Sequence, residues 1–334
     1  PDDPLAIGGF LPLKKVYSFN PIPPELSKEE EKYVLGAQGN VWTEYMKTED
    51  QVEYMVFPRI LAMSEVLWSG VVKNIETVYP EFLSRVAPFL ERLNALNINN
   101  ANHLYELEGD LMKENGLVSY QLKTPLAGIE IRYTTDGMPV LMDSKLYTER
   151  ILITANTTIH AGIFKNKQLV SNPFYETINY HKAITGKVDL SVLPHKAYNA
   201  GGKEALINGI NGSDQRYGDK EWLGFWGDDL EITIDLGELT TIKTFKSRFY
   251  SATGQWIYAP KKVSLYSSID GKTYSSLKEI ELENDKNIID VYLDFNEINT
   301  QFIKIIVPNY GIIPEGKQGA DNKAWTFIDE IIIE

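Results

Sequence analysis

Leu230-Glu-Ile-Thr-Ile-Asp-Leu236 alternates without a break between apolar and polar residues. Side chains of a strand point to opposite faces with a period of two. Leu230, Ile232, Ile234 and Leu236 therefore share a core face, and Glu231, Thr233 and Asp235 the wet one. The pattern recurs downstream. Lys262-Val-Ser-Leu-Tyr266 alternates and runs into Ser268-Ile-Asp-Gly271-Lys-Thr-Tyr274, a hairpin signal. Ile289 to Phe295, Phe302 to Val307 and Phe327 to Ile333 complete the set. Strands at this spacing predict an all-β sandwich or jelly roll over residues 185–334. Aromatic residues gather between its strands: Trp222, Phe225, Trp226, Tyr250, Trp256, Tyr258 and Trp325.

Upstream, residues 116–184 read as a small antiparallel sandwich. Ile129-Glu-Ile-Arg-Tyr133, Ile151-Leu-Ile153 and Thr158 to Phe164 are strands, and Asp136-Gly137 is a hairpin turn. Residues 1–112 have a different texture. Thr48 with Gln51 forms a capping-box pattern, and the apolar positions from Met55 to Trp68 predict a helix that Pro58 kinks or breaks. A second helix is predicted to start near Pro80. Its stripe is Phe82, Val86, Phe89, Leu90, Leu93 and Leu96, and it ends in the Asn97–Asn100 cluster. Leu35-Gly-Ala-Gln-Gly-Asn-Val-Trp-Thr-Glu44 reads as a strand with Gln38, Asn40, Trp42 and Glu44 on one face and small apolar residues on the other. A polar, aromatic inner face fits a barrel strand that becomes functional toward its C-terminal end.

Composition narrows the function. The 334 residues suit two or three units. A net charge of −13 disfavours nucleic acid and anionic membranes, which require a basic face. The absence of cysteine excludes disulfides, a thiol nucleophile and thiolate metal sites. His103, His160, His181 and His195 lie at no metal-ligand or triad spacing and read as surface or packing residues. No apolar run approaches the ~20 residues of a membrane span. Pro1-Asp-Asp-Pro4 carries neither an initiator Met nor a signal-peptide pattern, so a chain cut from a longer protein is expected.

Three stretches resemble known families. Leu35 to Tyr45, Glu53-Tyr-Met-Val-Phe-Pro-Arg59 and Ala62-Met-Ser-Glu-Val-Leu-Trp68 are similar, in that order, to the C-terminal part of family 20 glycoside hydrolases, the β-N-acetylhexosaminidases. Gly8-Gly9-Phe10 to Tyr17 looks like the loop before their last strand. The resemblance implies the end of a (β/α)8 barrel. It implies that Trp42 walls the pocket for a terminal N-acetylhexosamine and that Glu44 accepts from the sugar hydroxyls. The alternative is a core tryptophan and a surface glutamate. Arg59 and Glu65 read as a structural pair or as cap partners. The family's reaction is substrate-assisted and needs an adjacent Asp-Glu pair on strand four. Neither Asp2-Asp3 nor Asp228-Asp229 stands in such a strand, so the chain alone is expected to be inactive although its parent hydrolyses glycosides. Strand eight would lack its neighbours, which predicts a companion fragment or self-association. A periplasmic or extracellular parent is implied.

The middle region, with Tyr133-Thr-Thr-Asp-Gly137 and Ala161-Gly-Ile-Phe164, is similar to the small domain that follows chitobiase and hexosaminidase barrels, and it reads as a spacer. The last region resembles discoidin-like domains (coagulation factor 5/8 type C), the fold of family 32 carbohydrate-binding modules. The matching residues are Leu206-Ile-Asn-Gly209, Leu230 to Gly237, Ser268 to Gly271 and Trp325 to Ile331. Trp222, Trp226, Trp256 and Arg248 are the candidate sugar contacts, with packing under a loop as the alternative for each. No cofactor is required. The resemblance implies a structural calcium held by the Ala205 carbonyl, Asn208 and Glu330, since oxygen ligands suit that ion. Asn208 stands where the family usually has Asp, and a hydrogen-bonded loop is the alternative.

Overall fold

The computed structural model of the chain describes residues 11–70, 73–126 and 128–334. Asp2-Asp3 and Gly8-Gly9-Phe10 lie outside the described residues.

Helices come first: α1 (Leu13–Tyr17), α2 (Glu49–Val56), α3 (Arg59–Ser69) and α4 (Ile75–Ala95). The Thr48 hydroxyl accepts from the Gln51 N–H at 3.3 Å, the expected cap. Gln51 reaches back to the Lys47 N–H, one residue earlier than a standard capping box. Pro58 divides α2 from α3 as predicted. The start of α4 differs from the expectation. Asn74, at φ 57°, turns the chain, so the helix begins at Ile75 and Pro80 sits inside it.

Tyr17 stacks on Phe82 at 4.2 Å, over a core of Leu13, Ala62, Val66, Leu83, Val86, Leu90 and Leu93. Phe89 and Leu96 of the expected stripe stay exposed. Arg59 and Glu65 do not pair with each other. Arg59 donates to the Tyr54 and Met55 carbonyls at the end of α2 and to Leu11, whereas Glu65 accepts from Tyr17 and Arg85. Both are cap and bracing residues.

The largest correction concerns residues 34–43, which form no strand. They run as irregular, largely exposed chain, with Leu35 98% exposed. A parallel strand exists only by bonding to neighbours on either side. No described strand lies beside this one, so its peptide groups face water. One trace of the expected face survives: Gln38 Nε2 donates to Asn40 Oδ1 at 2.8 Å, as side chains two apart would.

The middle unit contains β1 (Glu108–Glu114), β2 (Leu117–Lys123), β3 (Glu130–Thr134), β4 (Lys145–Leu146), β5 (Ile151–Ile153), β6 (Thr157–Lys165), β7 (Gln168–Leu169) and β8 (Phe174–Ile178). They form a β1-β2-β5 sheet and a β4-β3-β6-β7 sheet with β8 also on β6. Between the sheets lie Val118, Tyr120, Ile131, Ile151, Ile159 and Ile163. Asn115 and Gly116, both at positive φ, close a tight β1–β2 hairpin between the paired Glu114 and Leu117. Asp136-Gly137 makes a turn, with Asp136 accepting from the Met138 N–H, but the chain returns to β3 only at Lys145. The expected tight hairpin is therefore an open loop.

The third unit contains β9 (Lys187–Leu190), β10 (Leu223–Trp226), β11 (Leu230–Tyr250), β12 (Lys262–Ser268), β13 (Ser275–Glu281), β14 (Ile288–Val307) and β15 (Trp325–Ile333). β11 and β14 are long and irregular in register between Asp235 and Thr240 and again between Ile242 and Thr244. Before the break β11 pairs with β9 and after it with β15. β12 joins only the second half of β14. The two long strands thus pass from one layer of a sandwich to the other. Ile232, Ile234, Phe245, Phe249, Leu265, Ile303, Ile305 and Ile331 fill the space between layers. The predicted alternation at Leu230 to Leu236 holds, with all four apolar residues buried.

Candidate functional site

One end of the third unit gathers its aromatic side chains. Trp226 ends β10 and Trp325 opens β15, and the two are antiparallel partners with rings 4.7 Å apart. The 251–258 loop is tied to β15 by the Trp325 N–H donating to the Trp256 carbonyl and the Tyr258 N–H to the Trp325 carbonyl. That tie brings Trp256 within 6.2 Å of Trp226. Gly319 lies against one face of the Trp256 ring, where a Cβ would come within 2.3 Å of the indole nitrogen. His195 packs edge-on against Trp325 at 5.2 Å, and Tyr198 does so at 5.3 Å. His195 Nδ1 accepts from the Ala197 N–H, which leaves its proton on Nε2, at an exposed position. The result is a half-exposed aromatic platform flanked by a hydrogen-bond donor.

Two of the four expected sugar contacts lie elsewhere. Trp222 is 0% exposed and its Nε1 donates to the Ser213 carbonyl at 3.0 Å. Arg248 is fully engaged. Its guanidinium donates to Asp329, to Asp214 at 2.7 Å and to the Gly212 carbonyl at 2.6 Å, and it covers the Trp222 ring. Burial pushes Asp329 up to about 6, and the Arg248 charge opposes that shift. Trp222 and Arg248 therefore hold the 212–222 loop in place and present no face to a ligand. Trp226 and Trp256 remain. Trp325, His195 and Tyr198, which were not among the expected contacts, pack with them. The alternating Trp325-Thr-Phe327 was the available signal for Trp325. His195 and Tyr198 sit in an irregular loop that gives no period to read.

Trp42 and Glu44 lie in the first unit, with no ring contact to this platform among the described residues. Trp42 is 58% exposed. With Val41, Met46, Met55, Ile60 and Met63 it lines a shallow groove of about 200 Å³. Glu44 is exposed in the turn after it.

The expected calcium ligands are close in space but committed to other partners. Ala205 lies in a 3₁₀ turn (Lys203–Ile207) that packs on β15. Asn208 accepts from the Ile210 N–H and donates to Glu221 at 2.7 Å. Glu330 is buried with His181 Nε2 at 2.9 Å, a contact poorly aligned for a hydrogen bond. Burial raises the Glu330 carboxyl well above its usual range and lowers His181 to about 3. The loosely satisfied Glu330 oxygens are what a cation would bind. Around them Asn208 is turned onto Glu221, and the Lys113 ammonium sits on the Ile207 carbonyl at 2.9 Å. Among the described residues no cluster of three acidic or histidine side chains has metal-binding geometry.

One adjacent Asp-Glu pair does occur, Asp329-Glu330. It lies on β15, where consecutive side chains point to opposite faces. Both are buried, one on Arg248 and the other beside His181. Neither can reach a glycosidic bond.

The fold is that of a multidomain chain whose last unit is a β-sandwich with a half-exposed aromatic cluster at its loop end. Three family models match its three parts. Residues 2–71 match the glycosyl hydrolase family 20 catalytic domain, residues 115–175 the chitobiase/β-hexosaminidase C-terminal domain, and residues 193–331 the F5/8 type C domain. The chain is similar to a β-hexosaminidase of Porphyromonas gingivalis, 40% identical over 151 residues that make up 44% of this chain and 19% of the relative. A β-hexosaminidase of Vibrio vulnificus is 36% identical over 75 residues, 18% of this chain and 9% of that one. The chain thus spans less than a fifth of the length of these relatives. Among solved structures, a family 32 carbohydrate-binding module of a Clostridium perfringens family 89 enzyme, in complex with GalNAc-β-1,3-galactose, aligns with 15% identity and a TM-score of 0.32 over 46% of this chain and 96% of that one. A chitosan-binding module of a Paenibacillus chitosanase/glucanase aligns with 9% identity and a TM-score of 0.33 over 47% and 99%. The chain therefore carries, in order, the signatures of a glycoside hydrolase of β-hexosaminidase type and of a discoidin-like domain.

Proposed function

We propose that this chain is part of an exo-acting β-N-acetylhexosaminidase and that its third unit is a carbohydrate-binding module for that enzyme. The observation that carries the reading is the half-exposed Trp226–Trp256–Trp325 platform at the loop end of a sandwich of F5/8 type C kind. A pyranose offers a C–H face to an aromatic ring and a rim of hydroxyls to a donor such as His195 Nε2–H. The chain's negative charge does not repel a neutral sugar.

Titration of the full chain with N-acetylglucosamine, N-acetylgalactosamine and galactose, followed by tryptophan fluorescence, tests it. Saturable binding is expected, weakened about tenfold by Trp256→Ala or Trp226→Ala and unmoved by Trp42→Ala. No binding at millimolar sugar, or affinity unchanged in both platform variants, sinks the reading.

The first unit would contribute Trp42 and Glu44 to the parent's sugar pocket, as the end of its barrel. Its exposed Leu35, Trp42 and Trp68 suit a surface covered by the remainder of that barrel or by self-association. The catalytic Asp-Glu pair would come from outside these residues. Turnover of a chromogenic N-acetylglucosaminide by the purified chain would overturn that part, and a monomeric mass in solution would count against self-association. A parent acting on N-acetylhexosamine glycans outside the cytoplasm is the setting we favour. Among the described residues no helix is long and apolar enough to cross a membrane.

A further inference from the structure

A cleft of about 540 Å³ opens where the first unit meets the middle one. α1 and the first turns of α4 make one wall, through Lys15, Ile75, Tyr79 and Pro80. The chain entering β1 and leaving β2 makes the other, through Glu106, Glu108, Thr124 and Pro125. The volume falls in the range of small-molecule sites, roughly 300–1,000 Å³, and junctions between units are a usual place for them. No residue of the third unit and no tryptophan lines it.

The lining joins an apolar strip to a charged rim. The strip is Ile75, Tyr79 and three prolines, Pro12, Pro80 and Pro125. The rim holds Lys14, Lys15 and Lys123 against Glu76, Glu106 and Glu108, equal numbers of each sign. Lys14 Nζ meets Glu76 at 2.8 Å, and Lys123 Nζ meets Asp110 at 2.6 Å. An anion would need a surplus of cationic donors, which such a rim lacks. A wholly apolar ligand would strip water from the charged groups and give them no partner. A neutral ligand with a C–H face and a border of hydroxyls meets both requirements. Two protein hydroxyls await such a partner. Tyr79 is only 5% exposed and lines the cleft, yet its hydroxyl makes no hydrogen bond among the described residues. Thr124, on the opposite wall, has a buried Oγ1 that is also unpaired. Unpaired buried hydroxyls are costly and uncommon.

We propose that this cleft is a second carbohydrate site, which takes a neutral saccharide of one or two sugar units between the helices of the first unit and the β1–β2 hairpin of the middle one. The sugar's C–H face lies over Ile75 and the proline rings. Its hydroxyls exchange hydrogen bonds with Tyr79, Lys15 and Glu108, the last two being exposed side chains at the rim. A ligand held this way bridges the two units, which makes the middle unit part of a binding site as well as a spacer. The site stands apart from the aromatic platform, and only the choice of an N-acetylated probe rests on the hexosaminidase reading.

Calorimetric titration of the full chain carrying Trp226→Ala and Trp256→Ala, which lacks the platform, tests this with N,N′-diacetylchitobiose and with cellobiose. Saturable heat is expected within about 10 mM sugar. Adding Tyr79→Phe, which removes only the hydroxyl, should weaken binding about tenfold, and Glu108→Gln about threefold. Amide exchange over residues 75–80 and 106–108 should slow in the presence of sugar, while 222–226 is unmoved. No heat with either sugar overturns the proposal. So does an affinity unchanged by both Tyr79→Phe and Glu108→Gln. Should a variant fail to fold, the native chain decides: slowed exchange over 75–80 and 106–108 that Glu108→Gln reduces supports the site, and unchanged exchange sinks it. Failure of the platform reading would look different. The native chain would then give binding heat that neither platform substitution alters, with tryptophan fluorescence silent throughout.

Discussion

Residues 34–43 and 230–236 make an instructive pair. Both alternate in side-chain character and both read as strands. The second is zipped between β9 and β14, with Ile232 opposite Leu190 on one side and Ile305 on the other. The first lies exposed, with no strand beside it among the described residues. The difference is one of partners. Period-two patterning says which side chains would share a face, and hydrogen bonds to neighbouring strands decide whether the face is ever built.

The strongest way to break the comparison is amide exchange. Residues 34–43 should exchange roughly a thousandfold faster than 230–236, the ratio expected between local opening and global unfolding of a domain. Equal protection would mean that the first stretch has found strand partners by self-association. Core truncation comes next. Phe245→Ala, at a site between the layers, should cost the third unit about 3–5 kcal/mol in denaturant unfolding. Trp68→Ala, on the 93% exposed surface of α3, should stay within about 0.5 kcal/mol.

A smaller effect is a pH response confined to the well-packed side. Burial raises Glu221 from its ordinary 4.5 to about 8, so the folded chain holds a proton that the unfolded chain releases between those values. Stability contributed by that proton is complete below about 4.5 and is lost as pH rises toward 8. Glu221→Gln should remove about 3 °C of the fall in midpoint over that window. His181 works in the opposite sense: it is held neutral down to about 3, so its contribution is lost as pH falls below its ordinary 6.5. The smallest effect is Thr48→Ala, which should cost α2 about 1 kcal/mol, seen as lost helix signal without change in the third unit.

Legibility followed the same division. The alternation of Leu230 to Leu236, the Ser268–Tyr274 hairpin and the Thr48 cap were plain because each depends on residues close in sequence. Asp270 accepts from the Lys272 and Thr273 N–H groups inside its own turn. Trp42, Trp222 and Arg248 could not be placed that way, since their surroundings are set by chain far away. Arg248 meets Asp329, 81 positions on, and nothing local distinguishes a guanidinium kept for an ion pair from one kept for a ligand. Lys113 was silent for the same reason, because its partner carbonyl belongs to another unit. The platform was half legible: the tryptophans stood out by type, while their arrangement came from the tie between the 251–258 loop and β15.

The two long strands of the third unit carry one more consequence. Because β11 and β14 belong to both layers, the sandwich has no seam along which one layer could slide or melt apart from the other. Its loops emerge from a frame that tolerates their rewriting. Substitutions at Trp226, Trp256 or His195 alter what the rim presents without unlocking what lies beneath. A scaffold of that kind can change its ligand over generations while its architecture stands still.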